Sequence, residues 1–262
     1  MEDRPVRDLP WRRSQPGTDN PVIRKLSCLA PLTVDAEASL AKLMALTHVV
    51  VARSDLIGED EAPQGTFLVI EGFACRFKTG SDGRRQITAY LLPGDLCHSG
   101  TVSADRPDNA LAALSDCTVG FIAKRDFRDL IERHPGVAEA LRLDKLVGEA
   151  ILRRWVANRD LPSAVERMAH LLCELLLRLR VVGLVADDAY DLPLTEADLA
   201  DTIGLSVARA NRALHALERD GLAAFSGKRL RIRDVRRLKR LAGFRPDYLD
   251  CPSDDANRHG RS

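Results

Sequence analysis

Between Leu194 and Leu222 the chain reads LTEADLADTIGLSVARANRALHALERDGL. The stretch sets Ser206, Val207, Ala208, Arg209, Asn211, Arg212 and His215 on one side of a short segment and small or apolar residues on the other. Arginine grips the O6 and N7 acceptors of guanine with two hydrogen bonds, asparagine does the same for adenine, and an apolar side chain meets the thymine methyl. The residue types are therefore those that read base edges. Downstream, Lys228, Arg229, Arg231 and Arg233, then Arg236, Arg237, Lys239 and Arg240, supply cations of the kind that hold phosphates and make affinity salt-dependent.

Those side chains need elements to aim them. Thr195 followed by Asp198 predicts a capped helix over 196–203, Gly204 a tight turn, and Ser206 the cap of a second helix from Val207 to about Glu218. Ala200 is small where two helices would cross, and Leu199, Ile203, Leu205, Ala210 and Ala213 are apolar where they would face inward. This spacing is that of a helix-turn-helix, whose second helix enters the major groove with its N-terminal half. Asp220-Gly221 ends that helix, and LAAFSGKRLRI predicts a hairpin tipped by Ser226-Gly227-Lys228, a wing.

Upstream, FLVIEG, FACRF, RQITAYLL, NALAAL and CTVGFIA are short runs rich in β-branched and aromatic residues, separated by Gly, Pro, Asp and Ser turns. They predict an all-β unit preceded by a helix over 35–50. RDFRDLIERH and a proline-free stretch from Pro135 to about Arg159 predict two helices, the second with a heptad-like row at Val137, Leu141, Asp144, Gly148, Ile151 and Trp155. That row could lie on the β unit or form a seam between two copies. Ser163 and Glu166 open a further helix with an apolar face at Met168, Leu171, Leu172, Leu175 and Leu179. Residues 1–20 and 245–262 read as polar tails, leaving a β domain over 21–134, a long helix over 135–160 and the DNA-binding part over 161–244.

The chain has 262 residues, 39 Lys and Arg against 38 Asp and Glu, and a formal net charge of +1. Any attraction to nucleic acid is thus local. The longest apolar run is broken by Glu174, Arg178 and Arg180, which argues against a membrane span, and the N-terminus lacks the apolar core of a secretory signal. A cytoplasmic protein is expected. The six cysteines are scattered without a CxxC pair. Cys97-His98 is the one pair whose adjacency could favour a thiolate and so a redox response. No P-loop, HExxH or nucleophile elbow marks an enzyme.

On DGRRQITAYLLPGDLC, ERMAHLLCELLLRLRVVGL, LPLTEADLADTIGLSVARANRAL and LRIRDVRRLKRLAGF, the chain from about Ile23 to Leu249 resembles the Crp/Fnr family of bacterial transcriptional regulators. The resemblance implies an α+β chain with an N-terminal antiparallel β-roll like a cyclic-nucleotide-binding domain, a long dimerisation helix and a C-terminal winged helix-turn-helix. It favours the homodimer seam and implies a pseudo-palindromic site on double-stranded DNA, with RNA polymerase as a further partner. By position, Ser206 and Arg209 would hold phosphates, and Val207, Ala208 and Arg212 would read bases. The glutamate common in better-known members is replaced by Ala208.

The resemblance also shows departures. Cyclic-nucleotide binders of the family use Gly-Glu followed by Arg-Ser/Thr-Ala, whereas here Gly94-Asp95-Leu96 is followed by ADRPDNALAAL. Cyclic AMP is therefore not expected as effector. The iron–sulfur members need four thiolates at close spacing, and only Cys28 lies near the N-terminus. For a haem, His48, Cys75, Cys97 and His98 are of suitable type, although a buried thiol or surface imidazole explains each more simply. No cofactor is expected, and the β domain either senses an unidentified signal or serves as a platform. The competing function is a ligand receptor acting through protein partners.

Overall fold

The computed structural model describes residues 12–13, 20–57, 64–81, 83, 85–97 and 110–249. Most of the expected tails, His98 and the ADRPDN segment lie outside the described residues. The chain divides between Leu141 and Arg142 into two units. No helix among the described residues is long and apolar enough to cross a membrane.

The first unit opens with β1 (Arg12–Arg13), α1 (Pro21–Leu29) and α2 (Val34–Leu43). Asn20 Oδ1 accepts from Val22 N at 2.8 Å and Pro21 starts α1, where its missing N–H costs nothing. Thr33 Oγ1 accepts from Ala36 N at 3.2 Å to start α2. The helix expected over 35–50 ends at Leu43; residues Leu46–Val50 are β2. The β-branched Thr47, Val49 and Val50 favour an extended chain, and pairing partners on Cys117–Ala123 satisfy its backbone.

The remaining strands are β3 (Asp55–Ile57), β4 (Gly65–Glu71), β5 (Ala74–Thr79), β6 (Arg85–Leu91), β7 (Leu96–Cys97), β8 (Ala110–Ala113) and β9 (Cys117–Ala123). They form two antiparallel sheets, β1-β2-β9-β4-β7 and β3-β8-β5-β6. Phe67, Val69, Ala74, Leu91, Leu111 and Val119 fill one apolar core. A second core joins Val22, Leu26, Leu40, Leu68, Ile122 and Leu130 of the helices and the first sheet. α3 (Lys124–Arg133) supplies Leu130, and the start of α4 (Pro135–Asn158) supplies Val137 and Leu141 to the same core.

The second unit contains the rest of α4, α5 (Ala164–Val181), β10 (Ala189–Asp191), α6 (Glu196–Ile203), α7 (Val207–Arg219), β11 (Ala223–Ser226), β12 (Arg229–Ile232), α8 (Val235–Leu241) and a 3-10 turn at Pro246–Leu249. Ser163 Oγ accepts from Glu166 N at 3.1 Å, capping α5. The middle of α5 is buried throughout, including Glu174, which is fully enclosed. Burying a carboxylate is costly without donors. Glu174 has three: Trp155 Nε1 at 2.9 Å from α4, Arg178 at 3.3 Å and the Tyr248 hydroxyl at 3.3 Å. Burial nonetheless raises its pKa, against the lowering effect of Arg178 and Trp155. Phe244 and Tyr248 also lie against His170, so the segment 245–249, assigned to a tail by its polarity, is packed onto α5.

Candidate nucleic-acid interface

The α6–turn–α7 geometry begins with a reciprocal cap. Thr195 Oγ1 accepts from Asp198 N at 3.2 Å, and Asp198 Oδ2 accepts from Thr195 N at 2.9 Å and from the Thr195 hydroxyl at 2.7 Å. The Thr202 hydroxyl donates to Asp198 O at 2.8 Å at the other end of the helix. Gly204 then takes φ +67 and ψ 42, a left-handed conformation that L side chains disfavour, and Leu205 N donates back to Ala200 O at 3.0 Å. Ala200, Ala210 and Ala213 are all buried, so small side chains let α6 and α7 approach.

Burial on α7 separates its two faces. Ala210, Ala213, Leu214 and Leu217 are covered, while Ser206, Val207, Ala208, Arg209, Arg212 and His215 are exposed. Ser206 occupies the cap position but makes no side-chain capping bond, leaving its hydroxyl available. Val207 is an exposed large aliphatic residue, which costs water contact unless something apolar meets it. The Arg212 guanidinium donates from Nε to Ala208 O at 3.3 Å, one turn back along the same face. His215 lies 3.5 Å from Glu218.

Asn211 differs from its neighbours. It is half-buried and its Nδ2 donates to Glu196 Oε2 at 2.9 Å, tying α7 to α6. Sequence reasoning missed this bond because nothing in a spacing of fifteen residues marks it.

The wing is a three-stranded antiparallel sheet ordered β10-β12-β11. Ser226 pairs with Arg229, so Gly227 and Lys228 form a two-residue turn, with Gly227 at φ +59. Phe225 N donates to Glu218 Oε1 at 3.1 Å, fixing the wing to α7. Lys228 is exposed at the tip. Arg229 pairs with Asp191 at 3.1 Å, but both groups are solvent-facing, and such pairs are worth only about 0.2–1 kcal/mol. Arg231 donates to Asp187 O at 3.2 Å, and Arg233 and Arg236 are exposed. The third strand, three residues long, gave no readable signal in ADDAYDLPL.

The other expected positions are placed as follows. Val137, Leu141, Asp144 and Ile151 are buried within the chain, Trp155 is half-buried on Glu174, and Gly148 is exposed. The large apolar residues that α4 leaves exposed are Leu146, Leu152 and Val156. Cys97 is fully buried, and that burial pushes its thiol up to about 12, the opposite of an activated thiolate. Asp95, also buried, accepts from Lys25 Nζ of α1 at 2.6 Å and from Leu92 N at 2.7 Å. No group of three or more His, Cys, Asp or Glu able to hold a metal ion occurs among the described residues.

Comparison with known proteins agrees with this geometry. The model of the Crp-like helix-turn-helix domain matches residues 166–241, and that of the cyclic nucleotide-binding domain matches residues 40–134. The transcriptional activator protein FnrL of Cereibacter sphaeroides is 30% identical over 179 residues, covering 67% of this chain and 71% of that protein. The nitrogen fixation regulation protein FixK of Bradyrhizobium diazoefficiens is 30% identical over 194 residues, covering 71% and 78%. The solved structure of FixK2 from Bradyrhizobium japonicum superposes with a TM-score of 0.65 at 28% identity, over 74% of this chain and 96% of that one. With a β unit of two antiparallel sheets, a helix-turn-helix whose reading face is clear of the core, and these relatives, the chain belongs to the Crp/Fnr family of DNA-binding transcription regulators.

Proposed function

We propose that the protein is a homodimeric regulator that reads a pseudo-palindromic promoter site without cyclic AMP or an iron–sulfur cluster and acts on RNA polymerase from there. The observation that carries the reading is the exposed N-terminal half of α7. Val207, Ala208 and Arg212 would face base edges, with Ser206, Arg209 and Lys228 on phosphates and Arg229 joining them once released from Asp191. Asn211 would act by holding α7 against α6.

Two copies would bring two α7 helices to successive major grooves about one helical turn apart. Since Val137, Leu141, Asp144 and Ile151 are already covered, a second copy would meet α4 at its exposed apolar residues Leu146, Leu152 and Val156. Independence from cyclic AMP is supported by the lack of an Arg-Ser/Thr-Ala element after Gly94-Asp95-Leu96 and by the surroundings of Asp95. Its carboxylate is engaged by Lys25 and by the Leu92 amide.

The test is selection of bound sequences from a random duplex pool by the purified protein with no added nucleotide, followed by titration of the winner at several salt concentrations. A two-fold symmetric motif whose affinity falls steeply with salt is expected. Enrichment that appears only with cyclic AMP would remove the effector-free part of the proposal, and no enrichment under either condition would remove the reading as a whole.

A further inference from the structure

A cleft opens to solvent in the second unit between the end of α4, the first half of α5 and the end of α6. Arg159, Arg167, His170 and Asn158 line it with Trp155 and Thr202, and no Asp or Glu is among its lining residues. Arg167 Nε is the one buried side-chain nitrogen or oxygen among the described residues that makes no hydrogen bond. A buried donor without a partner destabilises the fold, so such an atom calls for an acceptor, either a water or an ion. Two arginines and an asparagine at one opening, with no carboxylate among the lining residues, suit an oxygen-rich anion.

We infer that this cleft binds a free oxyanion of phosphate size, held by Arg159 and Arg167. His170 contributes no charge. It is enclosed against Phe244 and Tyr248, and burial together with Arg154 lowers its pKa to about 4. The wall of the cleft on the α6 side is Thr202 and Ile203, the residues immediately before the Gly204 turn. An anion there touches the helix that sets the start of α7. The site thus gives the DNA-binding unit a small-molecule input of its own.

Trp155 reports on the cleft directly, and Trp11 is the only other tryptophan of the sequence. With Trp11→Phe as background, the full-length protein is titrated with inorganic phosphate in the absence of DNA, at ionic strength matched with chloride. A saturable fluorescence change is expected, weakened at least tenfold in Arg167→Gln and in Arg159→Gln. Arg159 is exposed, so its variant keeps the test valid if Arg167→Gln fails to fold. No saturable change, or one that both variants retain, overturns the inference. A protein that ignores free phosphate, but whose DNA affinity and salt slope drop in Arg167→Gln, also overturns it and assigns the cleft to a backbone phosphate. Because the titration contains no DNA, its result is independent of whether the selection experiment succeeds.

Discussion

In the β unit, Lys25 turns its ammonium onto the buried Asp95 carboxylate at 2.6 Å, while on α7 Arg209 and Arg212 stand exposed with no carboxylate partner among the described residues. The same kind of charge serves two ends. A cation met by an acid inside the fold contributes to stability and leaves little field for a visitor. A cation left at the surface adds almost nothing to folding but keeps its full attraction for phosphate and base edges. The lesson is that the sum of charges, +1 here, says less than where each charge is answered.

Substitutions in the two regions should therefore fail in different assays. Asp95→Ala removes the carboxylate that accepts from the Lys25 ammonium and the Leu92 amide, and should lower the stability of the β unit by about 3 kcal/mol. Urea unfolding followed by β-sheet circular dichroism measures it. A loss below about 0.5 kcal/mol would mean that water reaches the corner and would break the contrast.

The second unit offers a pH test of how its interior treats positive charge. His170 titrates at about 4 in the folded protein and near 6.5 when unfolded. Between those values the unfolded chain binds more protons, so the stability held by the neutral ring is complete above pH 6.5 and is lost as pH falls towards 4. By pH 5 the loss should reach about 2 kcal/mol, and His170→Phe should lack it. Glu174, with its raised pKa, works in the other direction, but it is common to both proteins and cancels in their difference. Parallel pH–stability curves for the two would refute burial of a neutral imidazole.

On α7 the expected losses move to DNA. Arg212→Ala should cost about 1–3 kcal/mol at the selected site and relax preference at one base pair, with unfolding unchanged within about 0.5 kcal/mol. Equal weakening on random DNA would show that Arg212 holds a phosphate instead. Smallest is Lys228→Ala at the wing tip, which should weaken all sequences alike and lower the salt slope by about 1. Binding assays at three salt concentrations separate the two roles.

Elements with a strong local signature were legible beforehand. The helix-turn-helix could be read because each demand, the Thr195 cap, the Gly204 turn and the alanines at the crossing, falls within a few residues of the next. β4, β5, β6, β8 and β9 were visible as β-branched and aromatic runs between turn residues. β2 was read as helix since it follows α2 after only Met44 and Ala45, and periodicity alone separates poorly the two states over five residues. α1 has a local signal of its own, Asn20-Pro21 ahead of Val22 and Leu26. Lys25–Asp95 joins residues seventy positions apart, and Glu174 interrupts an apolar run in the sequence because two of its three donors, Trp155 and Tyr248, lie nineteen and seventy-four positions away. The heptad row on α4 identified apolar positions but not which of them the chain itself covers.

The hydrogen bond from Tyr248 to Glu174 also sets an order of events in synthesis. Seventy-four residues separate the two, so at about 5–20 residues per second several seconds pass between translation of the acid and of its hydroxyl partner. During that interval α5 and its Trp155 and Arg178 partners exist, but the last donor to the carboxylate does not. Full enclosure of the Glu174 carboxylate therefore waits for the Pro246–Leu249 turn to be made.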